Sequence, residues 1–226
     1  MKSSEGPVAR VHHKGVDVIA NVLIARKTHR ITLECPEIAE AIRPGQFVMI
    51  RLPNQTDPLL GRPYALYDTV VDEPGKPYAI EIVYLVVGKQ THLLTTLGEN
   101  DKVEIWCPLG NGFDDVPTLG HVALVAGGIG QTPFLAYIKD LLGIRGYGGE
   151  SARKKAGRVS LFYGARKAEF LAGVEDFEEA GASVHVATDD GSRGHHGLVT
   201  QLLEEHLQSG DVSGIVGCGP EPMLQA

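Results

Sequence analysis

Polar and hydrophobic positions alternate along the first half of the chain, in short runs that are separated by turn residues. A period of two is typical of β-strands with one buried face. It predicts a hairpin over residues 17–35 that turns at residues 27–30, followed by strands at 48–52, 60–67, 78–87 and 102–107. One short helix is expected among them, over residues 91–97, with Gly98 after its end. Many short strands joined by turns favour a closed antiparallel barrel.

The second half of the chain has a different pattern, in which apolar β-rich runs alternate with helical ones. Strands are expected at residues 122–126, 159–163, 184–187 and 215–218, and helices at 133–143, 168–180 and 198–207. Alternation of this kind predicts a parallel sheet with helices on both faces. The change divides the chain into a barrel domain, residues 1–116, and an α/β domain, residues 117–226. A glycine-rich, basic loop over residues 143–157 is expected to be mobile.

The first strand of the second half leads into a glycine-rich turn with Gly127, Gly128 and Gly130, and Pro133 then opens a helix. Glycines allow a ligand to approach the backbone, and a helix N-terminus attracts anions. The turn therefore predicts a cradle for the phosphates of a dinucleotide. Its pattern, G-x-G-x-x-P, lacks the third glycine of the usual dinucleotide fingerprint, so an ordinary strand-to-helix turn stays open as an alternative.

Four loops of the second half follow strand ends, at residues 127–133, 163–166, 188–197 and 218–223. Ligands of open parallel sheets bind outside the carboxyl ends of the strands, so these loops are expected to meet at one rim. Arg166 is a candidate for a phosphate, and Asp189 or Asp190 for ribose hydroxyls. The alternative for the two aspartates is a plain polar turn.

A further candidate lies in the barrel half, where Arg62 and Tyr64 stand in an extended segment. Arginine can bind a phosphate through two hydrogen bonds, and tyrosine can stack on a planar ring. Thr91, which starts a helix after Gly88, can help to hold a second phosphate. The alternative is a surface arginine and a core tyrosine.

Composition excludes several other classes of function. The net charge of −7 lacks the basic balance typical of nucleic-acid binding. No run of about 18 apolar residues is present, and the polar N-terminus lacks a signal-peptide core. A cytoplasmic protein without a membrane partner is therefore expected. Cys35, Cys107 and Cys218 lie far apart and show no metal-ligand spacing, so no metal site is expected.

In this order, the motifs of the chain resemble those of ferredoxin–NADP reductase-like flavoproteins. The motifs stand at residues 62–65 (R-P-x-[ST]), 88–91 (G-[KR]-G-[ST]), 127–133 (G-G-I-G-x-x-P), 163–166 (Y-G-A-R) and 218–223 (C-G-P-x-P-M). Within these flavoproteins, residues 86–89, 108–113, 188–192 and 197–200 are most similar to the electron transfer subunits of dihydroorotate dehydrogenase. The resemblance covers about residues 17–226.

The resemblance implies FAD in an N-terminal Greek-key barrel and NAD on a Rossmann-like domain. Hydride would pass from NADH to the flavin, which feeds a one-electron acceptor. The implied flavin residues are Arg62, Pro63, Tyr64, Ala65, Val83, Tyr84, Leu85, Gly88, Gln90 and Thr91. The implied NAD residues are Gly127, Gly128, Gly130, Thr132, Pro133, Arg166, Asp189 and Asp190. The implied residues near the reacting rings are Cys218, Gly219 and Pro220, with Cys218 as the catalytic candidate.

The family also implies an FMN-containing dihydroorotate dehydrogenase catalytic subunit, or another redox protein, as partner in a hetero-oligomer that serves pyrimidine biosynthesis. It implies a [2Fe–2S] cluster on a cysteine-rich C-terminal segment. A cluster needs about four cysteines, which this chain lacks. The last residues resemble a helix that is just starting, so we expect a truncated chain.

The chain departs from the family pattern at three positions of the flavin segments. Ala65 replaces a hydroxyl residue, Leu85 stands where a basic residue is common, and Gln90 replaces a glycine. These departures leave alternatives open: a freestanding NAD(P)H:ferredoxin reductase, a hydrogenase diaphorase subunit, or a non-catalytic module that binds a nucleotide or a partner. The acidic loop at residues 188–192 favours NADH over NADPH.

Overall fold

The computed structural model describes residues 11–113, 119–208 and 211–226. Its first sheet has seven antiparallel strands in the order β4-β3-β7-β1-β2-β6-β5, curled so that β4 contacts β6. The antiparallel barrel is therefore confirmed. The strands are β1 (His12–Ala25), β2 (Thr28–Glu34), β3 (Phe47–Arg51), β4 (Arg62–Ala65), β5 (Asp68–Val71), β6 (Pro77–Leu85) and β7 (Lys102–Leu109), with helices α1 (Pro36–Ala41) and α2 (Lys89–Leu94) between them.

The barrel core follows from the alternation along its strands. Ile31 and Leu33 of β2 pair with Ile82 and Ile80 of β6, and all four side chains are fully buried. Side chains between them point to the opposite face of the sheet, as the period of two requires. There Val83 belongs to the core of the second domain rather than to that of the barrel. One face of β6 thus fills the barrel, and the other packs against the α/β domain.

Two local predictions in the barrel were wrong. The hairpin turns at residues 26–27 rather than 27–30, because Lys27 adopts a left-handed backbone conformation with φ of 57° and β2 already begins at Thr28. The strand β5 was not predicted. It carries the polar residues Asp68 and Thr69, which are both buried. The strand therefore shows no alternation of hydrophobic and polar residues in the sequence.

The second sheet is parallel, in the order β11-β10-β9-β8-β12, and this confirms the predicted α/β architecture. The proposed boundary at residues 116 and 117 lies outside the described residues. The strands are β8 (Leu119–Gly127), β9 (Ala156–Ala165), β10 (Ser183–Thr188), β11 (His195–His196) and β12 (Gly214–Cys218). The helices are α3 (Phe134–Leu141), α4 (Val174–Glu179), α5 (Val199–Leu207) and α6 (Glu221–Gln225). Within the described residues, no helix is long and apolar enough to cross a membrane.

The helix predicted over residues 168–180 is interrupted in the structure. A 3₁₀ turn at Ala168–Phe170 precedes α4, and Gly173 between them is left-handed with φ of 70°. A Cβ atom at Gly173 would lie 2.2 Å from the hydroxyl oxygen of Tyr67 in the barrel. The break therefore follows from the close approach of the two domains, which a helical periodicity does not reveal.

The sheet face under α5 contains a cluster of three aromatic rings. The His185 ring lies 4.9 Å from Phe162 and 4.3 Å from His206 of α5. Burial lowers the pKa of His185, and the neighbouring His206 and His121 lower it further. The neutral form of His185 is therefore the one that the folded chain stabilises.

Acidification is expected to destabilise this region. Because the pKa of His185 is lower in the folded chain than its ordinary 6.5, the unfolded chain binds more protons as the pH falls through that value. Stability is thus fully present above this pH and decreases below it. We expect His185→Phe to weaken the pH dependence of Tm between about pH 7.5 and about pH 5.5. The exposed His196→Phe is the control, and an unchanged pH dependence in His185→Phe would contradict the assignment.

Candidate functional site

A cleft of about 850 Å³ lies between the barrel and the carboxyl rim of the parallel sheet. The sheet changes winding direction at β8, which lies between β9 and β12. Such a switch point is where open α/β sheets bind ligands. The barrel side of the cleft consists of Lys27, Thr28, Leu85, Val86, Val87 and His92. The opposite side includes Gly127, Gly128, Ile129, Tyr163, Gly164, Ala165, Arg166, Asp189, Leu198, Val199, Thr200, Pro220, Pro222 and Met223.

The glycine turn reaches the cleft with its first two glycines. Gly127 ends β8, and Gly128 opens a 3₁₀ turn, Gly128–Gln131, with a left-handed φ of 55°. A Cβ atom at Gly128 would meet nothing within 4 Å, so its backbone is open to a ligand. At Gly127 a Cβ atom would lie 2.7 Å from Pro220 and 2.8 Å from Met223. The turn and the segment after β12 are therefore packed directly against each other.

Gly130 packs against the end of β12. It is buried and does not line the cleft. A Cβ atom there would lie 2.2 Å from the carbonyl oxygen of Cys218. Glycine is thus required at this position because β12 packs against the turn. Thr132 and Pro133 are also buried, and Pro133 is the N-cap of α3 rather than its first residue.

Arg166 and Asp189 both line the cleft, at the ends of β9 and β10. The amide of Asp189 donates a hydrogen bond of 3.1 Å to the carbonyl oxygen of Ala165, which holds the two loops together. The carboxylate of Asp190 instead accepts hydrogen bonds from the hydroxyl and the amide of Ser192, at 2.5 and 3.1 Å. The Ser192 hydroxyl bond is the main reason why the pKa of Asp190 is lowered. Asp190 thus forms the polar turn, whereas Asp189 faces the cleft.

Cys218 is half-buried at the end of β12, where it pairs with Ala126 of β8. Burial raises the pKa of its thiol, so the protonated thiol is the form present at neutral pH. Cys218 itself does not line the cleft, although Pro220 of the same loop does. Gly219 lies against the turn, because a Cβ atom there would be 3.0 Å from the amide nitrogen of Gly127.

The predicted flavin segment forms β4 at the edge of the barrel, with Arg62 opposite Ile50 of β3. The Arg62 guanidinium donates to the carbonyl oxygens of Leu60 and Gly61, at 3.1 and 3.2 Å. It is exposed and forms no ion pair with any described residue. Such a guanidinium is free to bind an anionic ligand. Pro63 is exposed as well, and Ala65 is half-buried opposite Phe47.

Tyr64 has a buried hydroxyl without a hydrogen-bond partner among the described residues. Its ring lies edge-on to Tyr84, with 6.2 Å between the centroids, and burial raises the pKa of Tyr64 to about 12. Tyr84, in contrast, donates a hydrogen bond of 3.1 Å to Asn21. A buried hydroxyl without a partner is unfavourable. Tyr64 is thus the better candidate for a polar contact with a flavin. Its unsatisfied hydroxyl is consistent with a hydrogen bond to such a ligand.

The start of α2 differs from the prediction in its side-chain contacts. The Thr91 hydroxyl accepts from the amides of Val87 and Gly88 and donates to the Gly88 carbonyl, which completes the helix cap. Its proton is therefore not free for a phosphate. Gln90 is buried and donates a hydrogen bond of 2.7 Å to the carbonyl oxygen of Ile50, opposite Arg62. At Gly88 a Cβ atom would meet nothing within 4 Å, so the backbone before α2 is open.

Of the two remaining flavin candidates, only one lines the cleft, and two residues that were not predicted line it as well. Val83 is buried against the second domain, whereas Leu85 lines the cleft. Lys27 and His92 also line the cleft, although no motif indicated them. Lys27 stands in a turn and His92 follows the predicted phosphate segment, so only the packing of the two domains brings them to this site.

The three cysteines do not provide an iron–sulfur site. Cys35 and Cys107 are buried in the barrel core, where burial raises the pKa of both thiols, to about 12 for Cys35. Cys218 belongs to the other domain. In the part of the chain that the structure describes, no group of three or more His, Cys, Asp or Glu residues is placed to hold a metal ion. A [2Fe–2S] cluster, which needs four ligands, does not fit these residues.

Comparison with known proteins shows what the whole chain is similar to. The family model for the oxidoreductase NAD-binding domain matches residues 124–226. The structure is also similar to that of an NADH-dependent reduced ferredoxin–NADP oxidoreductase, with a TM-score of 0.74 and 27% identity over 93% of this chain and 69% of the other. A ferredoxin–NADP⁺ reductase from Neisseria gonorrhoeae with bound FAD and NADP shares the fold, with a TM-score of 0.73 and 16% identity over 94% of this chain and 87% of the other.

The chain is also similar in sequence to curated proteins of known function. The chain is 37% identical to the electron transfer subunit of dihydroorotate dehydrogenase B (NAD⁺) from Geobacillus thermodenitrificans, over 92% of this chain and 75% of the relative. It is 33% identical to the corresponding subunit from Desulforamulus reducens, over 92% of this chain and 74% of the relative. With this identity and coverage, the chain belongs to the family of dihydroorotate dehydrogenase B (NAD⁺) electron transfer subunits.

Proposed function

We propose that this chain carries electrons between NAD(H) and FAD and passes them to a one-electron acceptor, as the electron transfer subunit of an NAD-dependent dihydroorotate dehydrogenase. The cleft that both domains line is the observation that carries the proposal. A bound flavin exchanges a hydride with the nicotinamide and electrons with the acceptor, while the protein positions the groups. The boundary between the two cofactor domains is proposed at residues 116 and 117.

The flavin half of the proposed site is built on β4. Arg62, exposed and without a carboxylate partner in the part of the chain that the structure describes, would bind the flavin pyrophosphate. The buried hydroxyl of Tyr64 would hydrogen-bond the flavin. Leu85 would contact the ring system from the end of β6. The methyl group of Ala65 offers no hydrogen bond, so the flavin would be held without the hydroxyl that is usual in the family.

The nucleotide half of the proposed site is built on the parallel sheet. The open backbone of Gly128 would face the nicotinamide nucleotide, beside Gly127 and the Pro220 that packs against it. Arg166 would bind phosphate, and Asp189 would bind ribose hydroxyls. A carboxylate in this position repels an additional phosphate on the ribose. We therefore propose NADH rather than NADPH as the natural nucleotide.

The partner is proposed from the names of the relatives, which are subunits of dihydroorotate dehydrogenase B. We propose an FMN-containing catalytic subunit as the acceptor or donor of electrons, in a cytoplasmic hetero-oligomer of the pyrimidine pathway. A freestanding ferredoxin reductase is the alternative, and the two differ in whether a dihydroorotate-oxidising subunit binds to this chain.

The direct test of this function is the visible absorbance of the purified chain after incubation with FAD and removal of free flavin. We expect a flavin spectrum that bleaches anaerobically on addition of NADH, and more slowly on addition of NADPH. Co-expression with a dihydroorotate-oxidising subunit should then yield NAD⁺-dependent oxidation of dihydroorotate. A chain that stays colourless would exclude the redox function and favour a module that only binds nucleotide.

A further inference from the structure

A buried carboxylate lies between the two domains, outside the cleft. Asp68 is the first residue of β5, and its side chain is 5% exposed. Its carboxylate forms an ion pair with the ammonium group of Lys139 and accepts hydrogen bonds from Arg145, at 3.1 Å, and from the hydroxyl of Tyr147, at 2.7 Å. The amide of Thr69 donates to the same carboxylate at 2.8 Å. One buried carboxylate thus holds three side chains of the other domain.

The three partners belong to α3 and to the segment that follows it. Lys139 is in the last turn of α3, and Arg145 and Tyr147 lie in the loop that was expected to be mobile. Tyr147 is instead buried in the core of the barrel. Arg145 also donates to the carbonyl oxygen of Thr69. This loop is therefore anchored on the barrel, and Asp68 is the centre of the anchor.

The anchor joins the two elements that carry the proposed cofactor contacts. On the barrel side, Asp68 follows Ala65, the last residue of β4, after only two residues. On the other side, α3 begins directly after the glycine turn. The amide of Ala136 in α3 also donates a hydrogen bond of 3.0 Å to the carbonyl oxygen of Tyr67. The flavin segment and the glycine turn are thus connected by a short and well-bonded path.

We infer that Asp68 is a positioning residue for hydride transfer, which sets the distance between the flavin on β4 and the nicotinamide at Gly127 and Gly128. The inference rests on the proposed function. Replacing the carboxylate by an amide removes the charge that balances Lys139 and Arg145, while the size of the side chain is kept. The α3 end of the second domain is then free to shift relative to β4. Hydride transfer depends steeply on such shifts, with about 100-fold lost for about 1 Å.

The test is the anaerobic rate of flavin reduction by saturating NADH in the flavin-loaded full chain. We expect Asp68→Asn to lower this rate about tenfold, with flavin content and flavin reduction potential unchanged and the KM for NADH changed much less than the rate. Lys139→Gln, which removes the same ion pair from the other side, should show the same loss. Lys139→Arg, which keeps the charge, should stay within about twofold of the parent chain.

The matched control is Asp140→Asn, next to Lys139 on α3. Asp140 forms an ion pair with Lys155 of its own domain at 2.9 Å, and no hydrogen bond or ion pair joins its carboxylate to the described residues of the barrel. Its variant should reduce flavin at the parent rate. A parent rate in Asp68→Asn, with a lower Tm as the only effect, would overturn the inference, and so would a loss of flavin in both Asp68→Asn and Lys139→Gln. Failure of the proposed function is distinct, because the parent chain itself would then not be reduced by NADH.

Discussion

Replacement of Gly130 by valine is expected to lower the rate of flavin reduction by NADH about 100-fold, while the barrel still binds flavin. A Cβ atom at this position would lie 2.2 Å from the Cys218 carbonyl oxygen and 2.7 Å from its carbon. Both are backbone atoms, so no side-chain rotation relieves the clash. Overpacking of this kind costs about 3 kcal/mol or more, which corresponds to a loss of about 100-fold in the rate if it falls on the nucleotide site.

The reason for this effect is specific to the tertiary structure. To admit a side chain, the end of β12 has to move away from the glycine turn, and with it the segment that brings Pro220 to the cleft. The barrel lies on the other side of the cleft and is not touched by this movement. The measurements are the NADH-dependent bleaching rate and the flavin content of the same sample.

The control for the Gly130 variant is a valine at Gly15. Gly15 lies in β1 of the barrel, and a Cβ atom there would meet nothing within 4 Å. Gly15→Val should therefore leave both flavin content and the reduction rate unchanged. Normal NADH reduction in Gly130→Val would mean that the close contact between β12 and the turn is not needed for nucleotide binding.

Replacement of Arg62 by glutamine is expected to weaken flavin binding and to spare nucleotide binding. The guanidinium is exposed on β4 and, among the described residues, is held only by the carbonyl oxygens of Leu60 and Gly61, so it can pair with a diphosphate. A hydrogen bond between charged groups contributes about 1.5–3 kcal/mol, so the dissociation constant for FAD should rise about 10–150-fold. Equilibrium titration of the flavin-free chain with FAD measures this change.

The effect of Arg62→Gln on FAD binding should depend on the diphosphate of FAD and on ionic strength. Riboflavin carries no phosphate, so its binding should be nearly the same in Arg62→Gln and in the parent chain. The control is Lys102→Gln, another exposed cation of the barrel, which pairs with Asp17 at 2.5 Å. This variant should bind FAD as the parent does. Equal FAD affinity in Arg62→Gln and the parent would place the pyrophosphate elsewhere.

Most of the fold was predictable because it depends on local periodicity. The buried positions of β2 and β6 recur every second residue, and the alternating strands and helices of the second half indicate a parallel sheet. The strand β5 was missed for the opposite reason. Its first residues, Asp68 and Thr69, are buried polar side chains, and burial of such groups is favourable only when partners from distant segments satisfy them.

The candidate site was predictable at positions where the local backbone requires a particular residue type. The glycines at 127 and 128, together with Arg166 and Asp189, follow strand ends and do line the cleft. Gly130 stood in the same motif but packs against Cys218, and Thr91 uses its hydroxyl within α2. A motif thus indicates that a residue type is required, but not whether a ligand or a neighbouring strand requires it.

The sequence by itself determined the antiparallel and parallel character of the two sheets and the family resemblance, because these depend on residues that are close along the chain or on ordered motifs. Only the tertiary structure decided that Lys27 and His92 reach the cleft and that Tyr147 enters the barrel core. It also decided that Asp68 meets Lys139, which is 71 residues away. The physical reason is that a buried ion pair depends on how two domains pack, and no periodicity along the chain encodes that distance.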